Sequence, residues 1–573
     1  MYSLAYASNI ANLGINFSNL HIADSRFLTE EEFLSKSLAS PLIIGAWLVL
    51  FISYYGTLYT TKKKLHTLHY RYVLLALLFP VSLFFLPLDA SKPFWQQYNV
   101  FEENITAIFE TIEEKPYKYF LETNREYARF MQLNLPDNEI SKGITKKERQ
   151  PNILIVTIEG LSEQFLRDGA MPNLQKLAEN NIHYTNFIYH QRFTENGLYS
   201  ILCGDMPTLY RRVLILSTTP GALPSSAIVG RKNSPNKWGN IVYGTKNNCL
   251  PKILGKLGYK TAFFQASNIH FSKKNLFMKN VGIQSQYGHK LLRKLYPDIK
   301  EGKKGLTYGM PDHTFYPRVQ KELHKINAGD KPWFAALMTT STHFPLFVKD
   351  EFKGKFNSSL KDAFHTADHA LNEFLTSLEA EGLLNNTLLI VTGDESGAMV
   401  KKGDIASMLA SNWGALVIKT PDNINYSSKD YFVHSDLMTS ILDYIGHVDK
   451  AIRGRSVFRK YEGFRPVMFA NIRTDRWFTW YERNKLIVCA NYFKICQNLK
   501  IEGDLFNATL SDDTPNRNAI DLYISVARKN DYLYTTDQSK KKRNLKSVDK
   551  PKKPKKRAKK IKRNNYDFFA PAI

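Results

Sequence analysis

Apolar and polar positions change rhythm several times along the 573-residue chain. Residues 42–59 and 72–88 are almost unbroken apolar runs, each about long enough to cross a bilayer as a helix, which needs roughly 17–25 residues. A buried hairpin of core helices is the other reading of this pair. The basic segment between them, Lys62-Lys-Lys-Leu-His-Thr-Leu-His-Tyr-Arg71, has the character of a cytoplasmic connector. That orientation puts residues 1–40 and everything after Leu88 outside. Residues 1–40 have neither the basic start nor the early apolar core of a signal peptide, so further membrane helices are expected upstream of Met1.

Beyond the second run, Phe101, Ile105, Ile108, Phe109 and Ile112 recur at helical spacing. The pattern predicts a helical linker over 89–150 that lies along the membrane or packs on the adjoining domain. From Asn152 the rhythm becomes apolar strands alternating with amphipathic helices, the signature of an α/β fold with largely parallel strands. Strands are expected at 153–158, 261–265, 334–339, 388–391 and 415–418, with helices at 171–180 and 363–381. Near the end, 485–489 and 492–496 alternate with period two, predicting a small antiparallel subdomain over 461–538 after a catalytic domain at 151–460.

The net charge of +25 is unevenly spread. Lys540 to Arg563 hold fifteen Lys or Arg against Asp549 alone, so this stretch supplies +14. A lysine run punctuated by proline cannot bury enough apolar surface to fold, and 539–573 reads as a disordered polybasic tail. An extracytoplasmic location argues against nucleic acid as its partner and favours anionic lipid or an anionic envelope glycan, a merely solvated tail being the alternative. Four cysteines are too few for a disulfide scaffold. Cys203 and Cys249 flank one insertion, and Cys489 and Cys496 share one hairpin. An oxidising compartment would permit two bridges; free buried thiols are the other reading.

Candidate chemistry gathers where two strands end. The run Asn152-Ile-Leu-Ile-Val-Thr-Ile ends at Glu159-Gly160, and Leu388-Leu-Ile-Val-Thr-Gly ends at Asp394-Glu395. In parallel α/β sheets ligands bind beyond the carboxyl ends of the strands. Thr194 lies before a predicted helix over 195–202, whose N-terminus would favour a phosphate. A neutral hydroxyl is a weak nucleophile that a bound divalent cation activates, and Glu159, Thr194 and Asp394 could share such an ion. An ordinary N-cap is the competing role for Thr194.

These residues belong to a wider set of motifs. The set comprises Met171-Pro-Asn-Leu-Gln-Lys-Leu177, Tyr184-Thr-Asn-Phe187, Thr194 nine residues before Cys203-Gly204, Asn248-Cys249-Leu-Pro-Lys-Ile-Leu254, Gly258 to Phe271 with Lys274 and Asn275 just beyond, Ser341-Thr-His343-Phe-Pro345, and Asn386 to Asp394. The set resembles the lipid-dependent phosphoglycerol transferases and lipoteichoic-acid synthases of the alkaline phosphatase and sulfatase superfamily, over roughly 150–460. The resemblance implies an α/β/α sandwich of that type, and the apolar runs at 42–59 and 72–88 put a two-helix transmembrane hairpin before it. It also implies that Glu159, Thr194 and Asp394 ligate a metal, manganese first with magnesium or zinc as alternatives. Thr194 would take the phosphoryl group, while His343, Lys274 and Asn275 would contact substrate.

One position departs from the family pattern, which has Asp-His where this chain has Asp394-Glu395. Glutamate replaces a neutral nitrogen with a hard anionic oxygen. Glu395 would ligate manganese or magnesium directly, or His434 would supply the nitrogen, or the metal would be lost. The expectation is an enzyme in a bacterial inner membrane with its catalytic domain in the periplasm. It would move a phosphoglycerol-type group from a phospholipid to an envelope glycan. Phosphoethanolamine transfer and an inactive envelope-glycan-binding protein are the alternatives.

Overall fold

The computed structural model describes residues 121–530, except 146–149, 208, 210–248, 272–273, 302–308, 398–408, 450–451, 472–475, 491–494, 512, 516–519 and 528. The expected membrane hairpin, the amphipathic pattern at 101–112 and the basic tail lie outside them. Among the described residues no helix is long and apolar enough to cross a membrane.

The helices that frame the site are α1 (Leu121–Met131), α2 (Glu163–Arg167), α3 (Pro172–Glu179), α4 (Thr194–Cys203), α5 (Leu250–Lys256), α6 (Lys274–Val281), α7 (His289–Leu295), α8 (Asp312–Asn327), α9 (Ser359–Ala380) and α10 (Asp436–Tyr444). The main sheet has nine strands: β1 (Asn152–Ile158), β2 (Ile182–Ile188), β3 (Lys260–Gln265), β4 (Ser285–Gly288), β5 (Trp333–Met338), β6 (Thr387–Gly393), β7 (Trp413–Gly414), β8 (Leu416–Lys419) and β9 (Tyr426–Val433). Their order is β4-β3-β5-β1-β6-β8-β2-β7, with β9 beside β2. Strands β4, β3, β5, β1 and β6 run parallel. The sheet as a whole is mixed, because β8 lies antiparallel to β6 and β2 and β7 antiparallel to β2.

The middle of β1, residues 153–156, is wholly apolar, which suits a strand covered on both faces, as in other parallel sheets packed between helices. Ile153 and Ile155 join one core with α4, α5, α6 and α10. Leu154, Val156 and Ile158 join the other with α2, α3, α8 and α9. Side chains of this kind, fully removed from water, contribute about 1.5–3 kcal/mol each to folding. Such burial on both faces fixes the register of β1 and hence where Glu159 emerges.

A second sheet, β10 (Val467–Asn471), β11 (Arg476–Glu482), β12 (Lys485–Ala490), β13 (Ile495–Glu502) and β14 (Asp504–Leu510), is an antiparallel meander in chain order. The hairpin predicted at 485–496 is β12 and β13, where Cys489 pairs in register with Cys496 and forms a disulfide with it. One face of the meander packs against Ile188, Trp413 and Val433 of the main domain. The other is covered by Tyr127, Phe130 and Met131 of α1 and by Ile520 and Val526. The last turns of the expected linker therefore seal the C-terminal sheet. The second disulfide joins Cys203, at the end of α4, to Cys249 just before α5.

Candidate active site

The site begins with a register relationship. Ile158 of β1 stands beside Gly393 of β6, so the next residues, Glu159 and Asp394, leave the sheet at neighbouring points on its carboxyl edge. Glu159 is 8% exposed and Asp394 fully buried. Both backbone groups of Glu159 are clasped by the loop after β5: its N–H donates to Thr339 Oγ1 at 3.1 Å and its carbonyl accepts from Thr342 Oγ1 at 2.6 Å. Gly160 turns the chain at φ +71°, a conformation that costs glycine little. Its N–H donates to Asp394 Oδ1 at 3.0 Å and its carbonyl accepts from Gly397 N at 2.6 Å. The two strand ends are thus stitched into one unit.

Helix α4 brings the hydroxyl. Phe193 occupies the N-cap without a side-chain bond, and Thr194 is the first helical residue, so threonine is not the cap. Its side chain stands against the Asp394 carboxylate and favours the charged form; burial and the neighbouring Glu395 act the other way and raise the Asp394 pKa to about 6. The second carboxylate oxygen, Oδ2, is buried with no hydrogen-bond partner. Such an atom is costly to leave alone.

Lys274, at the start of α6, is only 6% exposed. Burial lowers its pKa, and Glu159, Asp394 and Glu195 pull it back up. The lysine anticipated as a substrate contact is therefore placed among the carboxylates themselves. Glu195, in the first turn of α4, is a member of this cluster that periodicity and motif spacing do not mark. Its position directly after Thr194 is the one signal the sequence offers.

His434 is fully buried. Its ring stacks on Tyr189 with centroids 4.0 Å apart, and Nε2 lies 2.9 Å from the Gly393 carbonyl, to which it donates. Burial lowers its pKa well below the usual range, with His190 adding to the shift. The imidazole is therefore neutral, and its Nδ1 is left buried without a partner. The groups packed round it are aromatic rings and a carbonyl, so the structure sets it behind the end of β6. Glu395 is half-buried beside Asp394. His343 is exposed on the loop that clasps Glu159, with Nδ1 2.6 Å from the Phe344 carbonyl. Asn275 is half-buried, its backbone N–H donating to Ile269 O at 2.9 Å and its carbonyl accepting from Gln286 Nε2 at 3.1 Å.

Among the described residues no three His, Cys, Asp or Glu side chains are drawn together as a metal cage. The donor chemistry nevertheless suits a hard divalent cation. Glu159, Asp394 and Thr194 offer oxygen only, and the unpartnered Asp394 Oδ2 is a lone buried acceptor.

The family model described as Sulfatase matches residues 151–447. Phosphoglycerol transferase I of Citrobacter koseri is 26% identical over 157 residues, covering 26% of this chain and 20% of that protein. Lipoteichoic acid synthase 2 of Bacillus subtilis is 25% identical over 328 residues, covering 53% of this chain and 44% of that protein. The chain thus spans less than half the length of these curated relatives. Among solved structures, an alkaline phosphatase superfamily protein from Vibrio parahaemolyticus superposes with a TM-score of 0.56 at 16% identity, covering 73% of this chain and 96% of the other. Lipoteichoic acid synthase LtaP from Listeria monocytogenes gives 0.53 at 14%, covering 73% and 97%. The fold is that of the alkaline phosphatase superfamily.

Proposed function

The chain belongs to the sulfatase family, and from that premise we propose that it is a phosphotransferase. It moves a phosphoglycerol-type group from a membrane phospholipid to a hydroxyl of an envelope glycan. The observation that carries this reading is the Thr194 side chain set against the buried Asp394, beside Glu159 and Lys274, at the carboxyl edge of the sheet. The similarity to phosphoglycerol transferase I suggests the group transferred.

In the first step the Thr194 hydroxyl attacks the lipid phosphodiester. A bond forms from Oγ to phosphorus, the bond from phosphorus to the diacylglycerol oxygen breaks, and the threonine proton ends on the departing diacylglycerol. The Asp394 carboxylate, against which the Thr194 side chain stands, orients that hydroxyl towards phosphorus. The Lys274 ammonium offers positive charge to the phosphoryl oxygens, and the first turn of α4 presents N–H groups on the same side. In the second step an acceptor hydroxyl attacks phosphorus, the bond to Oγ breaks, and Thr194 regains a proton from the acceptor. Glu159, Thr194 and Asp394, with Glu395 beside them, would hold the divalent cation that the superfamily implies, manganese by preference. Bound there, it supplies positive charge that stabilises the threonine alkoxide and the phosphoryl oxygens. His343 and Asn275 contact the substrate. The catalytic domain works on the periplasmic side of a bacterial inner membrane.

The test is intact-mass analysis of the full chain in phosphatidylglycerol nanodiscs with manganese, beside Thr194→Ala. A mass gain equal to one phosphoglycerol on the wild type alone supports the proposal. A gain only in phosphatidylethanolamine nanodiscs replaces it with phosphoethanolamine transfer. No adduct with either lipid and any of manganese, magnesium or zinc, on folded protein, leaves an envelope-glycan-binding protein.

A further inference from the structure

At the start of α10 the side chains that would ordinarily cap a helix are engaged elsewhere. Ser435 holds the N-cap position but makes no cap bond. Its Oγ donates instead to Nε2 of the buried His190 at 3.0 Å, and His190 Nδ1 donates to Met468 O at 2.9 Å, which fixes the tautomer. Asp436, the first helical residue, turns its carboxylate back on the chain. Oδ2 accepts from Val433 N at 3.1 Å, and the two oxygens accept from the Arg465 guanidinium at 2.8 Å and 2.5 Å. The first-turn N–H groups of α10 are thus left without the cap that these residues usually provide.

Ser435 and His190 line a pocket beyond the carboxyl ends of β2 and β9, which run parallel. Phe130 and Met131 of α1 form one wall, and Arg453 and Arg465, from the segment before β10, form another. Gly204, the C-cap of α4, also lines it. The ten residues of α4 rise about 15 Å, so the pocket lies roughly that far from Thr194 and shares no residue with the catalytic cluster. Positive charge outweighs negative here. Arg455 and Arg465 are 6% and 7% exposed. The Arg455 guanidinium donates to Gly463 O at 2.8 Å and lies over the Tyr461 ring. Arg453 is exposed, and among the described residues no carboxylate pairs with it. The acids acting on this group are Asp436 and Asp205, and Asp205 Oδ2 accepts from the Tyr199 hydroxyl at 3.3 Å. Three arginines thus face two aspartates. The Arg465 Nε–H is buried with no partner, a donor costly to leave unmet on a group that does not deprotonate.

We propose that this pocket is a second anion site, separate from the catalytic centre, and that it takes a phosphate group. The Arg465 Nε–H, the Arg453 guanidinium and the first turn of α10 supply the donors. Donors from separate segments suit a tetrahedral phosphate better than a planar carboxylate. Centres of water-sized groups can occupy about 20 Å³ of the pocket, which fits one such oxyanion and not a sugar or an acyl chain. Because α1, α10 and the segment carrying Arg453 meet at it, an occupant ties α1 to the catalytic domain. The site does not depend on the transferase reading.

The test is titration calorimetry on the full chain in detergent, free of divalent metal, with inorganic phosphate and with methyl phosphate. Lys274→Met removes the lysine of the catalytic cluster and so separates the two sites. The expected result is that this variant still binds one phosphate per chain, with slower hydrogen exchange at the first-turn amides of α10. Adding Arg453→Ala should weaken binding about 10-fold, the effect of losing one hydrogen bond to a charged group. Arg465→Lys keeps a positive charge opposite Asp436 but removes the Nε–H, and should weaken binding to a similar degree. Equal affinity for methyl phosphate assigns the site to a phosphate ester whose organic part projects from the mouth, and preference for inorganic phosphate assigns it to the free ion. Loss of all binding with Lys274→Met overturns the proposal, because the phosphate would then have been in the catalytic cluster. Binding that Arg453→Ala leaves unchanged, or no binding of either ligand, overturns it as well.

Discussion

Gly197 lies so close to Asp394 that a Cβ built on the glycine would stand 2.0 Å from the Asp394 carbonyl oxygen. This contact lets α4 press against the end of β6 and brings Thr194, one turn earlier, to the buried carboxylate. Gly197→Ala must push helix and strand apart. Overpacking of this sort costs about 1–3 kcal/mol. The expected outcome is a lower melting temperature and loss of the Thr194 adduct together, measured by calorimetry and intact mass. An alanine variant with native stability and full adduct formation would remove the role given to this contact.

Tyr189 supports the same strand end from below. Its hydroxyl accepts from Gly393 N at 2.8 Å and from Ala415 N at 3.2 Å. Gly414 leaves room for the ring, since a Cβ there would stand 2.0 Å from it. Tyr189→Phe removes the acceptor and strands two buried N–H groups, each costing roughly 1–3 kcal/mol. Denaturant unfolding should show a loss of that order, and hydrogen exchange should quicken at Gly393 and Ala415.

Asp312 anchors the loop that clasps Glu159, its Oδ1 accepting from Thr340 N and Ser341 N at 3.1 Å each. Oδ2 is buried without a partner. Burial raises the Asp312 pKa from 3.8 to about 6, against the pull of those hydrogen bonds. The folded state thus holds this proton more tightly than the unfolded one. Its contribution to stability is complete below about pH 4 and lost as pH rises through about 6, with about 3 kcal/mol as an upper bound. Asp312→Asn keeps an oxygen for both N–H groups and cannot titrate. The stability difference, variant minus wild type, should grow between pH 4 and pH 6 and level off above that range; a difference that stays constant with pH would refute the assignment.

Lys274→Met keeps much of the side-chain volume and removes the charge. A hydrogen bond to a charged group contributes about 1.5–3 kcal/mol, so adduct formation should slow by roughly 10–100-fold. Because the variant removes a positive charge from beside Glu159, Asp394 and Glu195, its divalent-cation affinity, read by titration calorimetry, should differ from that of the wild type. Unchanged adduct kinetics would place Lys274 outside the phosphate site.

The sequence alone determined the strand-end carboxylates, because strands buried on both faces leave unbroken apolar runs that stop where the chain meets the site. Glu159, Asp394 and the start of α4 are legible for that reason, as is the C-terminal hairpin from its period of two. Nothing local marks β2 or the short edge strand β4, and β7 and β8, which make the sheet mixed, owe their direction to pairing with partners far away in the chain. Only the tertiary structure decided that Lys274 sits among carboxylates rather than in solvent, that Glu195 joins them, and that His434 gives its Nε2 proton to Gly393. Each depends on elements tens to hundreds of residues apart packing over the same sheet edge. What a charged or titratable group does there is set by the neighbours and the solvent removed when those elements meet, and periodicity along the chain carries no record of that.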